Sequence, residues 1–183
     1  MANYSAAETR KSADQVLREF VLSDLTADSA PETIQNARTL LLEYGQFVAA
    51  HPSVTSFCYG SLRDEAAQLP DSYLNQHGGA ILAERANRPV GFVAWRTLPA
   101  QPDAWEIKRL WVRSEARGTG LGKILLQTLI DRAVSSGKTR LLLDTAPEVM
   151  ASAYRLYLQL GFSECLPYNG PAKPAILYMH KVL

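Results

Sequence analysis

Between Arg117 and Lys123 the chain reads Arg-Gly-Thr-Gly-Leu-Gly-Lys, with glycine at 118, 120 and 122. The flanks of this segment leave few folds open. Upstream, "AWEIKRLWV" (104–112) reads as a strand; downstream, "LGKILLQTLIDRAV" repeats apolar residues at helical spacing. The glycines therefore occupy a strand-to-helix turn. The first amides of a helix have no internal partner, and together with the helix dipole they form an anion site. Glycine lets the chain turn tightly and lets a phosphate approach without a Cβ in the way. Arg117 adds a positive charge suited to phosphate oxygens. With 19 Lys and Arg against 18 Asp and Glu, the net charge is +1. No global field recruits nucleic acid or an anionic membrane, so an anion site has to be local.

Spacing separates this turn from two common phosphate loops. A dinucleotide fingerprint needs G-x-G-x-x-G, but Lys123 stands where the third glycine would follow Gly118 and Gly120. A Walker loop needs G-x-x-x-x-G-K-[ST]; here Ile124 follows Gly122-Lys123, and Arg117 holds the place of the first glycine.

The length of 183 residues, 47% of them hydrophobic and 20% charged, suits one globular domain. Residues 1–18 are small and polar and are expected to form a mobile extension, with a single domain over 19–183. Strands are predicted in 19–25, "GAILAER", "PVGFVAWRTL", 104–112, 139–144 and 175–183, and "LPDSY" as a turn. Helices are predicted over 32–50, "SLRDEAAQ", 120–136 and 148–160, the last two closed by Gly137 and Gly161. This order predicts a mixed α/β fold with one central β-α-β unit. In 104–112 the apolar positions are Ile107, then Leu110 and Val112, so the alternation slips by one, as an inserted residue near Lys108-Arg109 would make it do.

At these residues the chain resembles the GNAT superfamily of N-acetyltransferases. Its coenzyme A motif, Q/R-x-x-G-x-G/A, is matched by Arg117 to Gly122, and a bulge in the preceding strand is a family feature. The second motif, A-x-x-L-Y-x-x-x-G-F, is matched by Ala153, Leu156, Tyr157, Gly161 and Phe162. The family's frequent Asn three residues before that Ala is Met150 here, which removes one cofactor contact. The resemblance implies a mostly antiparallel sheet flanked by helices and acyl transfer from acetyl-coenzyme A to an amine. It also implies cofactor contacts from Leu110, Trp111, Val112, Arg117, Gly118, Thr119, Gly120, Leu121, Gly122 and Lys123.

That chemistry needs a base, because an alkylamine with a pKa of about 10 is mostly charged at neutral pH. Glu106 either fills that role, directly or through a water, or is a strand carboxylate paired with Lys108 or Arg96. The leaving thiolate needs a proton or a hydrogen bond. Tyr157 matches the family's usual acid; its other reading is core packing on an amphipathic helix.

The remaining candidates carry plainer readings. His77 beside Gly78-Gly79 reads as a turn residue, Cys165 lacks an activating neighbour, and Cys58 and Cys165 read as reduced thiols. Tyr168, Asn169 and the loop around Lys173 are expected to line an acceptor pocket. No Cys/His spacing suggests a metal. No signal-peptide pattern or membrane-length apolar run is found, which predicts a cytoplasmic protein, monomeric or homodimeric, without membrane or nucleic-acid partners. The alternatives to an acetyltransferase are an acyl-coenzyme A-binding module that performs no transfer and an ATP-using enzyme. The latter lacks a Ser or Thr after Lys123.

Overall fold

The structure is a computed structural model that describes residues 19–52 and 62–183. The expected N-terminal extension and Cys58 lie outside the described residues. In chain order the elements are β1 (Val21–Asp24), α1 (Pro31–Ala49), α2 (Leu62–Ala67), α3 (Asp71–Leu74), β2 (Gly79–Arg85), β3 (Arg88–Leu98) and β4 (Gln101–Val112). There follow α4 (Leu121–Ser135), β5 (Arg140–Thr145), α5 (Ala151–Gln159), β6 (Ser163–Cys165) and β7 (Leu177–Val182). Two details depart from the sequence reading. The segment expected as a turn at "LPDSY" winds into α3, and the stretch just after Phe162 that holds Cys165, readable as a strand but left out of the predicted order, forms the short β6 at the sheet edge.

The strands form one sheet in the order β1-β2-β3-β4-β5-β7-β6. Its neighbours are antiparallel except β4 and β5, which are parallel and joined by α4. This is the predicted β-α-β unit. A parallel pair needs such a crossover, and α4 buries Leu121, Leu125, Leu126 and Leu129 on the sheet to make it.

Helices cover both faces, so the central strands are apolar on both sides rather than alternating. Along β2 and β3, Ile81, Ala83, Val93 and Trp95 face α4 and α5, in the core that also holds Leu141, Leu143 and Tyr157. Ala80, Leu82, Phe92 and Ala94 face α1 and α2, against Leu40, Leu41, Tyr44, Val48 and Leu62. Pro31 opens α1 at a position where its missing N–H costs nothing.

The connection into β2 is tight. A Cβ at Gly78 would lie 2.0 Å from the backbone oxygen of Trp95, and one at Gly79 would lie 2.7 Å from the Trp95 ring. Backbone cannot yield as a side-chain tip can. Gly78→Ala is expected to destabilise the protein by about 3 kcal/mol, read from the midpoint of urea unfolding. An unchanged midpoint would mean that the β2 entry relaxes freely.

Candidate active site

The site starts from one extra residue in β4. Phe92 pairs with Trp111 and Ala94 with Lys108, so two steps on β3 oppose three on β4. The surplus is taken up at Arg109, whose φ of 59° is left-handed. Beyond the bulge the phase is reset: Leu110 and Val112 pack toward the α4 core and Trp111 toward the α1 core. This is the slip seen in the sequence between Ile107 and Leu110.

The bulge is braced from α2. Arg109 is 7% exposed and donates to both oxygens of Glu65, Nε to Oε2 at 3.0 Å and Nη2 to Oε1 at 2.7 Å. The Tyr73 hydroxyl donates to Glu65 at 2.9 Å, and the Arg109 guanidinium lies over the Tyr44 ring at 5.7 Å. Burial works against the arginine's charge, but the hydrogen bonds and charge of Glu65 outweigh it and raise the Arg109 pKa.

The bulge also marks where two strands part. β4 pairs with β5 only from Ala104↔Arg140 to Glu106↔Leu142, whereas β5 continues beside β7 as far as Thr145↔Leu177. Past Glu106 the strands diverge. A cleft of about 540 Å³ opens beside this divergence, bounded by Leu110, Trp111 and Val112 of β4, the turn 116–123, and Met150, Ala153 and Leu156 near α5. Tyr44 and Phe47 of α1 wall it on the other side.

The glycine turn is built as the sequence implies. Gly118 (φ 76°) and Gly120 (φ 94°), the N-cap of α4, are left-handed. A Cβ at Gly118 would meet no atom within 4 Å, so this side of the turn is open space bordering the cleft. Gly122 lets α5 approach, since a Cβ there would lie 3.2 Å from Leu156. Of the ten residues expected to touch cofactor, nine line the cleft: Leu110, Trp111, Val112, Arg117, Gly118, Gly120, Leu121, Gly122 and Lys123. Thr119 does not line it. Its hydroxyl donates to Ala116 O at 2.7 Å and fastens the turn from within. Arg117 is exposed; its Nε donates to Val112 O at 3.0 Å and its guanidinium stacks 5.0 Å from the Trp111 ring. A turn with free helical amides, no Cβ in front of it and an arginine at its rim fits a diphosphate.

On the α1 side of the parting strands lies a polar cluster. Glu106 is fully buried and accepts from four donors. Arg96 Nε reaches Oε2 at 2.5 Å; the Tyr168 hydroxyl (3.0 Å), Asn169 Nδ2 (3.2 Å) and Lys108 Nζ (3.5 Å) reach Oε1. Both partners named for Glu106 as a strand carboxylate, Lys108 and Arg96, are in place, and the carboxylate they hold is closed to solvent. Lys108 also reaches Asp144 Oδ1 at 3.4 Å.

Asp144, near the end of β5, was not among the residues singled out from sequence. The one signal was an acid closing the apolar run Leu141-Leu142-Leu143. Burial alone would raise its pKa, but the charges of Lys108 and Arg109 and hydrogen bonds from Lys108 and Asn169 hold the carboxyl below the usual range. Glu65 was missed as well. On a short polar helix nothing local marks it as the partner of a strand arginine.

Tyr157 is 6% exposed on α5, with its ring edge-on to Phe162 at 5.8 Å. Burial raises its pKa well above the ordinary phenol value, and the charges of Tyr44 and Asp144 raise it further. It is thus a core residue, as its packing reading expected, and it is not among the residues that line the cleft. His77 is an exposed turn residue at φ 49°. Burial pushes the Cys165 thiol up, away from nucleophilic use. Among the described residues no group of His, Cys, Asp and Glu could hold a metal ion, and no helix is long and apolar enough to cross a membrane.

Removing Glu65 would strand the buried Arg109 charge and release the bulge. Glu65→Ala is expected to cost about 3 kcal/mol in urea unfolding, because one partner of a largely buried ion pair is left alone. A loss under about 1 kcal/mol, the range of exposed pairs, would show that the bulge holds without this brace.

The acetyltransferase (GNAT) family profile matches residues 45–162. N-acetyltransferase 8F1 of Rattus norvegicus is 36% identical over 106 residues, which cover 56% of this chain and 48% of that protein. The chain thus spans about half the length of that relative. The uncharacterized N-acetyltransferase C1271.07c of Schizosaccharomyces pombe is 29% identical over 156 residues, covering 85% of this chain and 91% of its own. Among solved structures, yncA from Salmonella typhimurium with its cofactor acetyl-CoA superposes with a TM-score of 0.66 over 90% of this chain and 94% of that one. At 16% identity that likeness concerns the fold. The sheet parted at β4 and β5, the glycine turn at its mouth and a profile match over well more than half of the sequence converge: the chain belongs to the GNAT acetyltransferase family.

Proposed function

We propose that this protein transfers an acetyl group from acetyl-coenzyme A to a primary amine. The observation that carries the reading is the parting of β4 from β5 directly above an open glycine turn, with nine of ten expected contact residues around one cleft. When bound, acetyl-coenzyme A supplies an activated acyl group and a thiolate leaving group.

The chain's own residues then divide the work. Amides of the turn and Arg117 hold the diphosphate, and the unpaired edge of β4 at Leu110–Val112 offers main-chain groups to an extended arm, as a sheet edge does to an added strand. Trp111, Tyr44 and Phe47 exclude water from that arm. The Tyr157 hydroxyl keeps its proton at any working pH and donates a hydrogen bond to the departing sulfur. Its raised pKa suits a donor of hydrogen bonds better than a donor of whole protons. Glu106 is too enclosed to meet an amine directly. Its route to the acceptor is the half-buried Tyr168 hydroxyl, which donates to Oε1. A base role for Glu106 therefore passes through a relay, and its ion pairs with Arg96 and Lys108 set the cluster's geometry.

Titrating acetyl-coenzyme A, coenzyme A and ATP into the protein tests the reading, with thiol release followed across a panel of amines. Acetyl-coenzyme A is expected to bind and ATP not to compete. Preference for ATP would reject the proposal, and binding without turnover across the panel would leave a carrier module. Tyr157→Phe is expected to lower kcat roughly a hundredfold, with acetyl-coenzyme A affinity held within about twofold. An unchanged kcat would reduce Tyr157 to packing.

A further inference from the structure

We infer that Asp144 is the carboxylate on which the acceptor's ammonium group lands, so that the site admits amines that arrive protonated. The inference rests on the acyl-transfer reading of this cleft and names its acceptor class.

Position is the first argument. Leu142 is the last residue of β5 paired with β4, and Asp144 stands two residues further on, on the same face and past the point of divergence. It lies across the opening from Lys108, the residue two beyond Glu106 on β4. Access is the second. The Asp144 side chain is 23% exposed, against 0% for Glu106. Of the two carboxylates that share Lys108, only Asp144 can be reached from outside.

The third argument is that an alkylammonium already occupies the place. Lys108 Nζ sits 3.4 Å from Asp144 Oδ1 and 3.5 Å from Glu106 Oε1, at the long end of ion pairing to both. Such a bridging ammonium can move toward Glu106 when a second one arrives, and neither carboxylate is then left uncompensated. Finally, the groups that sense the Asp144 charge include the hydroxyls of Tyr157, Tyr168 and Tyr178. The hydroxyl assigned to the leaving sulfur thus lies within electrostatic reach of the carboxylate assigned to the amine.

The probe is n-butylammonium, titrated by NMR into the protein saturated with coenzyme A, with n-butanol as its uncharged twin. The wild type is expected to prefer the ammonium. Asp144→Asn should weaken that binding about tenfold, to the level of the alcohol, as loss of one charge-assisted hydrogen bond does. Asp144→Glu should keep the preference, which separates charge from packing. Lys108→Met should tighten binding several-fold by removing the resident competitor, a sign that a merely structural lysine would not produce. In turnover, Asp144→Asn should raise the amine KM about tenfold while kcat changes less. Equal binding of ammonium and alcohol by the wild type, an unaltered constant in Asp144→Asn, or weaker binding in Lys108→Met would each overturn the inference. Failure of acetyl-coenzyme A to bind would instead defeat the acyl-transfer reading, and the butylammonium titration would still decide whether Asp144 receives a cation.

Discussion

A single surplus residue in β4, held in a left-handed conformation at Arg109, organises the rest of this molecule. A non-glycine residue at positive φ costs on the order of 1–3 kcal/mol and persists only where its surroundings over-determine it. Here the surroundings are Glu65, gripping the guanidinium with two hydrogen bonds, and the ring of Tyr44 beneath it. The bulge turns Arg109 toward α2 and resets the phase of everything after it, so that Trp111 joins the α1 core while Leu110 and Val112 face α4. Without that reset, the strand that feeds the glycine turn would present the wrong face to the cleft.

The same irregularity explains why the site lies at a seam. Up to Glu106 and Leu142 the parallel pair is continuous, and below that point the sheet has an unbroken core on each face. Past it, β4 keeps its pairing with β3 but is released from β5, and polar side chains gather where an apolar face would otherwise continue. Arg113, gripped by Glu43 of α1 with contacts down to 2.6 Å, pins the far end of the strand. The two acids from the first helices thus brace the strand on either side of the cleft wall. Charges buried in this way are stable only as pairs. Each β4 cation has its acid, and Glu106 answers to Arg96 and Lys108 at once.

How far the sequence could be read follows from the range of each interaction. The glycine turn is local: three glycines between a strand and a helix are bare in any context, and the structure shows the same turn beside the cleft. The bulge was legible because an inserted residue shifts a period of two. Element boundaries held to within a few residues, except where "LPDSY" was too short to carry a helical period and became α3, and where β6 was omitted from the element order. Thr119 could not be told from its neighbours, since which way its hydroxyl turns depends on the carbonyl of Ala116. Asp144 and Glu65 escaped notice because their meaning lies in partners 36 and 44 residues away.

What the sequence determined alone was therefore set by short-range geometry: the mixed α/β order, the open glycine turn, the shifted strand phase and the tyrosine on the helix after β5. What only the tertiary structure decided was electrostatic environment. Glu106 can be named from the chain, but that it is closed to solvent and held by four donors follows from β3, β4 and the loop after β6 converging on it. Asp144 acquires a lowered pKa and its pairing with Lys108 only when β5 is set beside β4. Burial and charge pairing are sums over residues remote in the chain, and no local pattern of side chains encodes such a sum.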